Sequence, residues 1–399
     1  MPKKRILFIS GSIGLGHVMR DLAIANEFRK LIPDLDIYWL AAPPASDVIK
    51  NANEKLLPEA DQYANENISA ESAAKGTYFN LIKFVLKAKK DWIHNVDIFK
   101  KITEGESYDL IIGDETYELS VAFKKEPHLK KDPFVLIYDC IGLDSMTKNP
   151  IEKLGVRYWN KIWSMGYGRP TIHFDLGIFV GEPEDVPDKK FGFRLPNRRE
   201  YAKAKYQFVG YILPFEPADY HDKAAIRKKL DYGKDPLVIC AIGGTAIGKE
   251  LLELCGQTYP IIKKEIPDIH MVLVCGPRVS KVSLDVPQEI DIRGYVPNLY
   301  EHFAACDLAI IQGGSNSTLE LTALKRPFLY FPLEGHCEQQ LYVPGRLARH
   351  QAGVKMQYSE TTPELLADKM ISNIGKEVTY APIPTDGAKK AAQLINSLL

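Results

Sequence analysis

The sequence predicts an α/β protein built from two doubly wound, parallel-sheet domains. Three observations lead there. Short apolar runs alternate with longer amphipathic stretches, the pattern of parallel strands joined by crossover helices. A chain of 399 residues exceeds the roughly 150 residues of an ordinary domain. Pro214-Phe-Glu-Pro-Ala then separates two similar alternating series, because closely spaced prolines stiffen the chain and break regular elements.

In the first series, Ile6–Ser10 is an apolar run ending in glycines, as a buried parallel strand does. Beyond it Val18, Leu22, Ile24, Ala25, Phe28 and Leu31 share one helical face, and Pro33 stops that helix. Asp36–Ala42 is the next strand. Residues 43–76 are rich in Ala, Asn and Glu and show no periodicity. Tyr78–Ile102 reads as a long helix with lysines outward. Asp109–Gly113 and Phe134–Asp139 read as short strands, with a helix from Leu119 between them. Residues 140–205 are irregular and aromatic, and Ile178–Val180 and Tyr206–Val209 close the first half.

The second series places strands near 237–242, 270–275, 307–311 and 328–331, with helices near 246–264, 298–305, 316–325 and 337–350. Gly387–Leu399 is a final helix. The domains are therefore set at 1–212 and 213–380, with 381–399 a terminal helix that could pack back on the first domain, its docking not legible from the sequence.

Composition narrows the function classes. The 51 Lys+Arg match the 51 Asp+Glu, so no net positive field favours general nucleic-acid binding. Hydrophobic residues at 45% and charged residues at 26% fit a folded globular protein and exclude global disorder. Met1-Pro2-Lys3-Lys4-Arg5 has the charge of an export signal, but the apolar run from Ile6 to Ile9 is too short for one. No stretch reaches the roughly 18 apolar residues of a spanning helix. The six cysteines are scattered, several within apolar runs, which reads as buried thiols in a reduced, cytoplasmic setting.

Two glycine loops carry the chemistry. Gly11-Ser-Ile-Gly14-Leu-Gly16-His17 follows the first strand and opens the first helix. Glycines there allow a sharp turn and close approach of a ligand, and the helix start offers free N–H groups. The same glycines would serve a plain strand-to-helix turn. His17 lies at the carboxyl edge of the sheet, where open α/β sheets bind ligands, and its imidazole suits a general base. Asp114 ends a later strand and could orient that imidazole. The alternatives are a surface histidine and an Asp114 that caps the following helix.

The second loop is richer. Leu308-Ala-Ile-Ile311 leads into Gln312-Gly313-Gly314-Ser315-Asn316-Ser317-Thr318-Leu319-Glu320. Free N–H groups with hydroxyl and amide side chains suit a diphosphate, and Glu320, one turn into the helix, suits a ribose diol. Glu338, Gln339 and Gln340 lie past the next strand and suit sugar hydroxyls. Gly243, Gly244 and Thr245 form a further turn after the first strand of this half.

These segments resemble the GT-B superfamily of glycosyltransferases, near the family that makes the lipid-linked peptidoglycan precursor (glycosyltransferase family 28) and the UDP-glycosyltransferases. Gly-Gly-Ser-Asn-Ser-Thr-Leu-Glu over 313–320 is similar to the donor segment His-Gly-Gly-x-Asn-Ser-Thr-Leu-Glu, and Glu338-Gln339-Gln340 to the acidic-Gln and Gln-Gln pairs. Gly294-Tyr295-Val296-Pro297 resembles the segment meeting the nucleotide base, and Gly14-Leu-Gly-His17 the acceptor loop with its histidine base. The likeness spans about residues 5 to 350. Two positions depart from it: Gln312 replaces a common His, and Val343 stands where Asn usually follows the Gln.

The resemblance implies two Rossmann-like domains facing each other across a cleft. A UDP-sugar would be the co-substrate, with no cofactor and no metal. Its phosphates would lie on Gly314, Ser315 and Asn316 and its ribose on Glu320, and Tyr295 and Val296 would meet the base. His17, oriented by Asp114, would deprotonate an acceptor hydroxyl that attacks the anomeric carbon with inversion; Gly14, Gly16 and Arg20 would line the acceptor side. His17-Val-Met-Arg20 is also similar to a nucleotide-sugar hydrolase of the same fold, and a silent nucleotide-sugar-binding subunit is the third reading. Asp34-Leu-Asp36 resembles a metal motif only by accident.

The acceptor, small or lipid-linked, is not legible. Residues 81–101 carry Lys83, Lys87, Lys89, Lys90, Lys100 and Lys101 with Trp92 and Phe99. Residues 156–170 carry Arg157, Lys161 and Arg169 with Tyr158, Trp159, Trp163 and Tyr167. Both combinations suit peripheral contact with an anionic bilayer at the inner face of the membrane; the alternative is solvated lysines above core aromatics.

Overall fold

The computed structural model of the chain describes residues 3–11, 13–169 and 171–399. It divides into two compact units. Unit 1 takes the chain up to Ala73, then Asn80–Pro214 and Pro384–Leu399; unit 2 takes Ala74–Phe79 and Phe215–Ile383.

The chain begins with β1 (Lys4–Ile9), α1 (Gly16–Leu31), β2 (Leu35–Leu40), α2 (Ala45–Asn51), β3 (Lys55–Leu56) and α3 (Glu66–Ala73). A two-stranded antiparallel hairpin follows, β4 (Ala74–Lys75) and β5 (Tyr78–Phe79). Next come α4 (Leu81–Gly105), β6 (Leu110–Asp114), α5 (Tyr117–Lys125), β7 (Phe134–Tyr138), α6 (Pro150–Trp163), β8 (Leu176–Phe179), α7 (Arg198–Lys205) and β9 (Gln207–Phe208). The second series is α8 (Lys223–Lys229), β10 (Leu237–Ala241), α9 (Lys249–Glu265), β11 (His270–Val274), β12 (Asp291–Arg293) and α10 (Leu299–Ala305). It continues with β13 (Leu308–Gln312), α11 (Ser315–Ala323), β14 (Phe328–Phe331), α12 (Val343–Arg349), β15 (Val354–Lys355), α13 (Pro363–Ile371) and α14 (Gly387–Asn396).

Unit 1 holds a seven-stranded sheet in the order β3-β2-β1-β6-β7-β8-β9, and unit 2 a six-stranded sheet in the order β12-β11-β10-β13-β14-β15. All pairings within both sheets are parallel. Parallel strands covered on both faces read as continuous apolar runs, which is why Ile6–Ile9 and Leu308–Ile311 are wholly buried. The chain reverses winding at β1/β6 in unit 1 and at β10/β13 in unit 2, and a crevice opens at the carboxyl ends of such strands.

Two apolar clusters cover the faces of each sheet. In unit 1, α14 belongs to one of them: Ala388, Ala391, Ala392 and Ile395, at helical spacing, are buried in it and the helix packs against α1. The small alanines allow the close approach. The six cysteines form no disulfide, and five of them are buried.

Local differences from the sequence reading have local causes. The long helix starts at Leu81 rather than Tyr78, because Asn80 caps it by accepting from Lys83 N at 2.9 Å. Residues 140–205, read as irregular, contain α6 and α7, each opened by an asparagine cap, Asn149 and Asn197. The stretch read as one helix at 337–350 starts as a π-helical turn, Glu338–Tyr342, before α12.

Candidate active site

In unit 1 the loop after β1 meets the end of β6 at the switch point. Gly14 sits at φ +74°, a left-handed conformation that favours glycine, and its N–H is held by Asn67 Oδ1 of α3 at 2.9 Å. Gly16 opens α1 and His17 follows it. A Cβ on Gly11 would stand 3.1 Å from the His17 ring and 3.2 Å from the Asp114 carbonyl, so a larger residue there would crowd the imidazole. Ser12 of this loop lies outside the described residues.

His17 stands between two carboxyl groups. Its Nδ1 is 3.4 Å from Asp114 Oδ2, and its Nε2 is 3.6 Å from Glu115 Oε2. Nδ1 is buried and makes no hydrogen bond at this distance. Asp114 does not cap α5, whose cap residue is Thr116. It is instead fixed by Arg20, whose Nε donates to Oδ2 at 2.7 Å and whose Nη2 donates to Oδ1 at 2.5 Å. Arg20 Nη1 donates to Asp139 Oδ2 at 2.6 Å. Arg20 therefore lies inside the unit, wholly committed to two carboxylates, rather than lining an open surface.

The charge pattern follows from burial and contact. Burial alone would raise Asp114, but Arg20 and His17 outweigh it and hold the carboxyl well below the usual range. Asp139 is lowered in the same way, burial being outweighed by Arg20 and His17. Burial and the charge of Asp139 push Glu115 well above the usual range. Burial and the charge of Asp114 do the same to Asp21, which accepts from Ser10 Oγ at 2.6 Å. Two ionised carboxylates thus face one guanidinium, and the unbalanced negative charge lies beside His17.

In unit 2 the loops after β10 and β13 meet at the switch point. Gly243 has φ +87°, Gly244 is buried, and Thr245 Oγ1 accepts from Ile247 N at 3.3 Å. Gly313 packs against β14's end: an added Cβ would stand 2.9 Å from Pro332 Cα, so only glycine fits. Gly314 is the cap residue of α11, which therefore begins with no side-chain cap and no acid in its first turn. Ser315, Asn316 and Ser317 form that half-exposed first turn. Uncapped N–H groups and the helix dipole make the turn an anion-binding end.

Glu320 lies in the second turn of α11, 9% exposed, its carboxyl making no hydrogen bond or ion pair among the described residues. Burial pushes its carboxyl up to about 7. Tyr295 is exposed and Val296 packs partly on the core beside α10.

Three residues serve the scaffold in ways the sequence did not reveal. Gln312, with its amide turned to match its neighbours, donates to Ile242 O at 2.9 Å and Ile247 O at 3.0 Å, tying the two glycine loops together. Gln339 Oε1 accepts from Leu333 N at 2.9 Å. Gln340 Nε2 donates to Pro332 O at 2.9 Å and Leu333 O at 3.1 Å. The glutamine pair thus holds the turn after β14, and Glu338 opens the π-helical turn that carries it.

Two further features were missed altogether. The hairpin β4–β5 packs on that same turn within unit 2: Phe79 N donates to Glu334 O at 2.7 Å, and Glu334 N to Thr77 O at 2.9 Å. The Phe79 ring meets His336 edge-on at 5.2 Å. Strands of two residues have no readable periodicity. The second feature is Arg346 of α12, buried at 3% exposure, whose Nη1 donates to Ser315 Oγ at 2.7 Å.

An α/β molecule of two doubly wound units, with a histidine–carboxylate pair at one switch point and an uncapped anion-binding helix at the other, has the makings of a group-transfer enzyme. Comparison with known proteins specifies the group. Residues 238–396 match the glycosyltransferase family 28 C-terminal domain. An uncharacterized glycosyltransferase of Methanosarcina acetivorans is 30% identical over 352 residues, covering 84% of this chain and 79% of that one. A UDP-N-acetylglucosamine–N-acetylmuramyl-(pentapeptide) pyrophosphoryl-undecaprenol N-acetylglucosamine transferase of Carboxydothermus hydrogenoformans is 26% identical, covering 99% of this chain and 98% of that one. Among solved structures, the glycotransferase of kitacinnamycin superposes with a TM-score of 0.60 at 12% identity, covering 100% of this chain and 95% of that one. The chain is a glycosyltransferase with the GT-B fold, and it belongs to the glycosyltransferases related to family 28.

Proposed function

We propose that the chain transfers a sugar from a UDP-sugar to an acceptor hydroxyl, with inversion and without a metal ion. Unit 2 takes the donor. The first turn of α11 receives the diphosphate, Glu320 the ribose diol, and the segment at Tyr295 and Val296 the base. Negative charge gathering on the leaving diphosphate is met by preorganised N–H groups and the helix dipole. Unit 1 takes the acceptor, and His17 removes its proton while Asp114, fixed by Arg20, stabilises the imidazolium that forms.

The observation that carries this reading is Glu320. A buried carboxyl with no hydrogen-bond donor is costly, and a ribose diol would supply two. It lies one turn behind the uncapped helix start that would take the diphosphate. Thermal unfolding with UDP, dTDP, GDP and CDP tests it. Stabilisation by UDP or dTDP that Glu320→Ala abolishes is expected; no shift with any nucleotide would refute the donor site.

For the acceptor we propose a lipid-linked molecule reached at a bilayer surface. The relative from Carboxydothermus hydrogenoformans is named for an undecaprenol-linked substrate. In α6, Ile151, Leu154 and Tyr158 form an exposed apolar stripe, and Lys153, Arg157 and Lys161 an exposed basic stripe beside it. On α4, Leu86 and Ile93 are exposed among Lys83, Lys87, Lys89 and Lys90. Trp92 and Trp159 meet edge-on at 5.8 Å and join the two helices, whereas Phe99 is core. Apolar and basic stripes side by side suit a helix lying in the interface of an anionic membrane. No helix among the described residues is long and apolar enough to cross one.

A further inference from the structure

We propose that Arg346 is a positioning residue for the donor diphosphate, acting through Ser315; the inference rests on the UDP-sugar reading above. A guanidinium has donors and no acceptor, so in the 2.7 Å contact Arg346 Nη1 gives the proton and Ser315 Oγ receives it. The hydroxyl's own hydrogen is thereby freed to be donated elsewhere. Ser315 is the first residue of α11, so that hydrogen leaves from the same place as the first-turn N–H groups. A serine that instead received a proton from its own helix backbone would turn its hydroxyl inward as a cap.

Three independent features at this point share one sign. The cap residue is Gly314, which offers no oxygen to the N–H groups, and no acid occupies the first turn. The third is the guanidinium, buried at 3% exposure a single hydroxyl away, from a residue 31 positions further along the chain. The guanidinium reaches the start of α11 through that hydroxyl, and its planar donors fix the hydroxyl's direction. Lysine at 346 would supply the charge without the planar, fixed donor geometry that sets the hydroxyl.

The test is titration of the full chain with UDP and with uridine (the latter by ligand-observed NMR), on wild type, Arg346→Met, Arg346→Lys, Ser315→Ala and the Arg346→Met/Ser315→Ala double variant. Arg346→Met is expected to weaken UDP about 10- to 100-fold and to leave uridine within about twofold. Arg346→Lys should recover only part of the loss. The double variant should bind UDP no more weakly than Arg346→Met, because both changes remove one coupled unit. Equal losses for UDP and uridine, no loss, or additive losses would overturn the inference. If Arg346→Met does not fold, Ser315→Ala and Arg346→Lys decide by the same UDP-to-uridine ratio. A wild type that binds no UDP would remove the donor reading itself, and the inference with it.

Discussion

Arg20 holds Asp114 by both carboxylate oxygens, at 2.7 and 2.5 Å, so the carboxyl group 3.4 Å from His17 Nδ1 is itself fixed in place. Asp139 takes the remaining arm of the same guanidinium at 2.6 Å. Removing the cation would strand two buried carboxylates. Arg20→Met should therefore destabilise unit 1 by about 3–5 kcal/mol, as broken buried pairs do. Urea unfolding measures it, and a loss below about 1 kcal/mol would mean that water reaches this cluster.

His17 is expected to matter for chemistry and not for donor binding. His17→Ala should lower the transfer rate by about 10²- to 10⁴-fold, the range of a general base, with UDP affinity unchanged. Comparing kcat with the UDP dissociation constant checks this. A parallel loss of UDP binding would remove the histidine from the role of base.

Glu320 gives a pH dependence with a defined sign. Its folded value of about 7 lies above the usual 4.5, so the folded state keeps its proton longer than the unfolded one. Ligand-free stability should fall as pH rises from about 4.5 to about 7, by about 3 kcal/mol at most, and Glu320→Gln should lose that slope. UDP affinity should rise over pH 6 to 8, because the ionised carboxylate is the stronger acceptor for the diol. Calorimetric titration across that range reads both wild type and Glu320→Gln; a flat wild-type profile would contradict the ribose assignment.

The two stripes of α6 should separate by salt. Lys153→Glu/Arg157→Glu/Lys161→Glu should abolish binding to anionic vesicles at low ionic strength, where charges act over tens of ångströms. Leu154→Ser/Tyr158→Ser should weaken binding at every salt concentration, since it removes apolar insertion. Vesicle flotation distinguishes them. Wild type that floats with neither anionic nor neutral vesicles would leave the acceptor side to a soluble molecule.

Much of this was legible because it is periodic. Wholly buried parallel strands such as Ile6–Ile9 and Leu308–Ile311 are unbroken apolar runs, and α14 shows its buried face at Ala388, Ala391, Ala392 and Ile395. The glycine loops were legible because a strand edge that turns sharply into a helix needs them. What escaped has no period. The hairpin at 74–79 is two residues a side, and Arg346 gains its meaning from Ser315 only after the chain has folded. The helix α6 was missed although Asn149-Pro150, a cap followed by proline at the first helical position, announces it. Gln339 and Gln340 read as ligand groups because an amide suits a sugar as well as it suits a backbone carbonyl.

The pairing of α1 with α14 has a consequence for synthesis. The apolar face of α1 leaves the ribosome long before α14, the helix that covers it, and all of unit 2 is made in between. At about 5–20 residues per second the wait is on the order of tens of seconds. Unit 2 can close in that time, whereas unit 1 must remain open along one side of its sheet. The nascent polypeptide should therefore be more vulnerable to proteases and more dependent on chaperones in unit 1 than in unit 2, the reverse of the usual expectation that what is translated first is finished first.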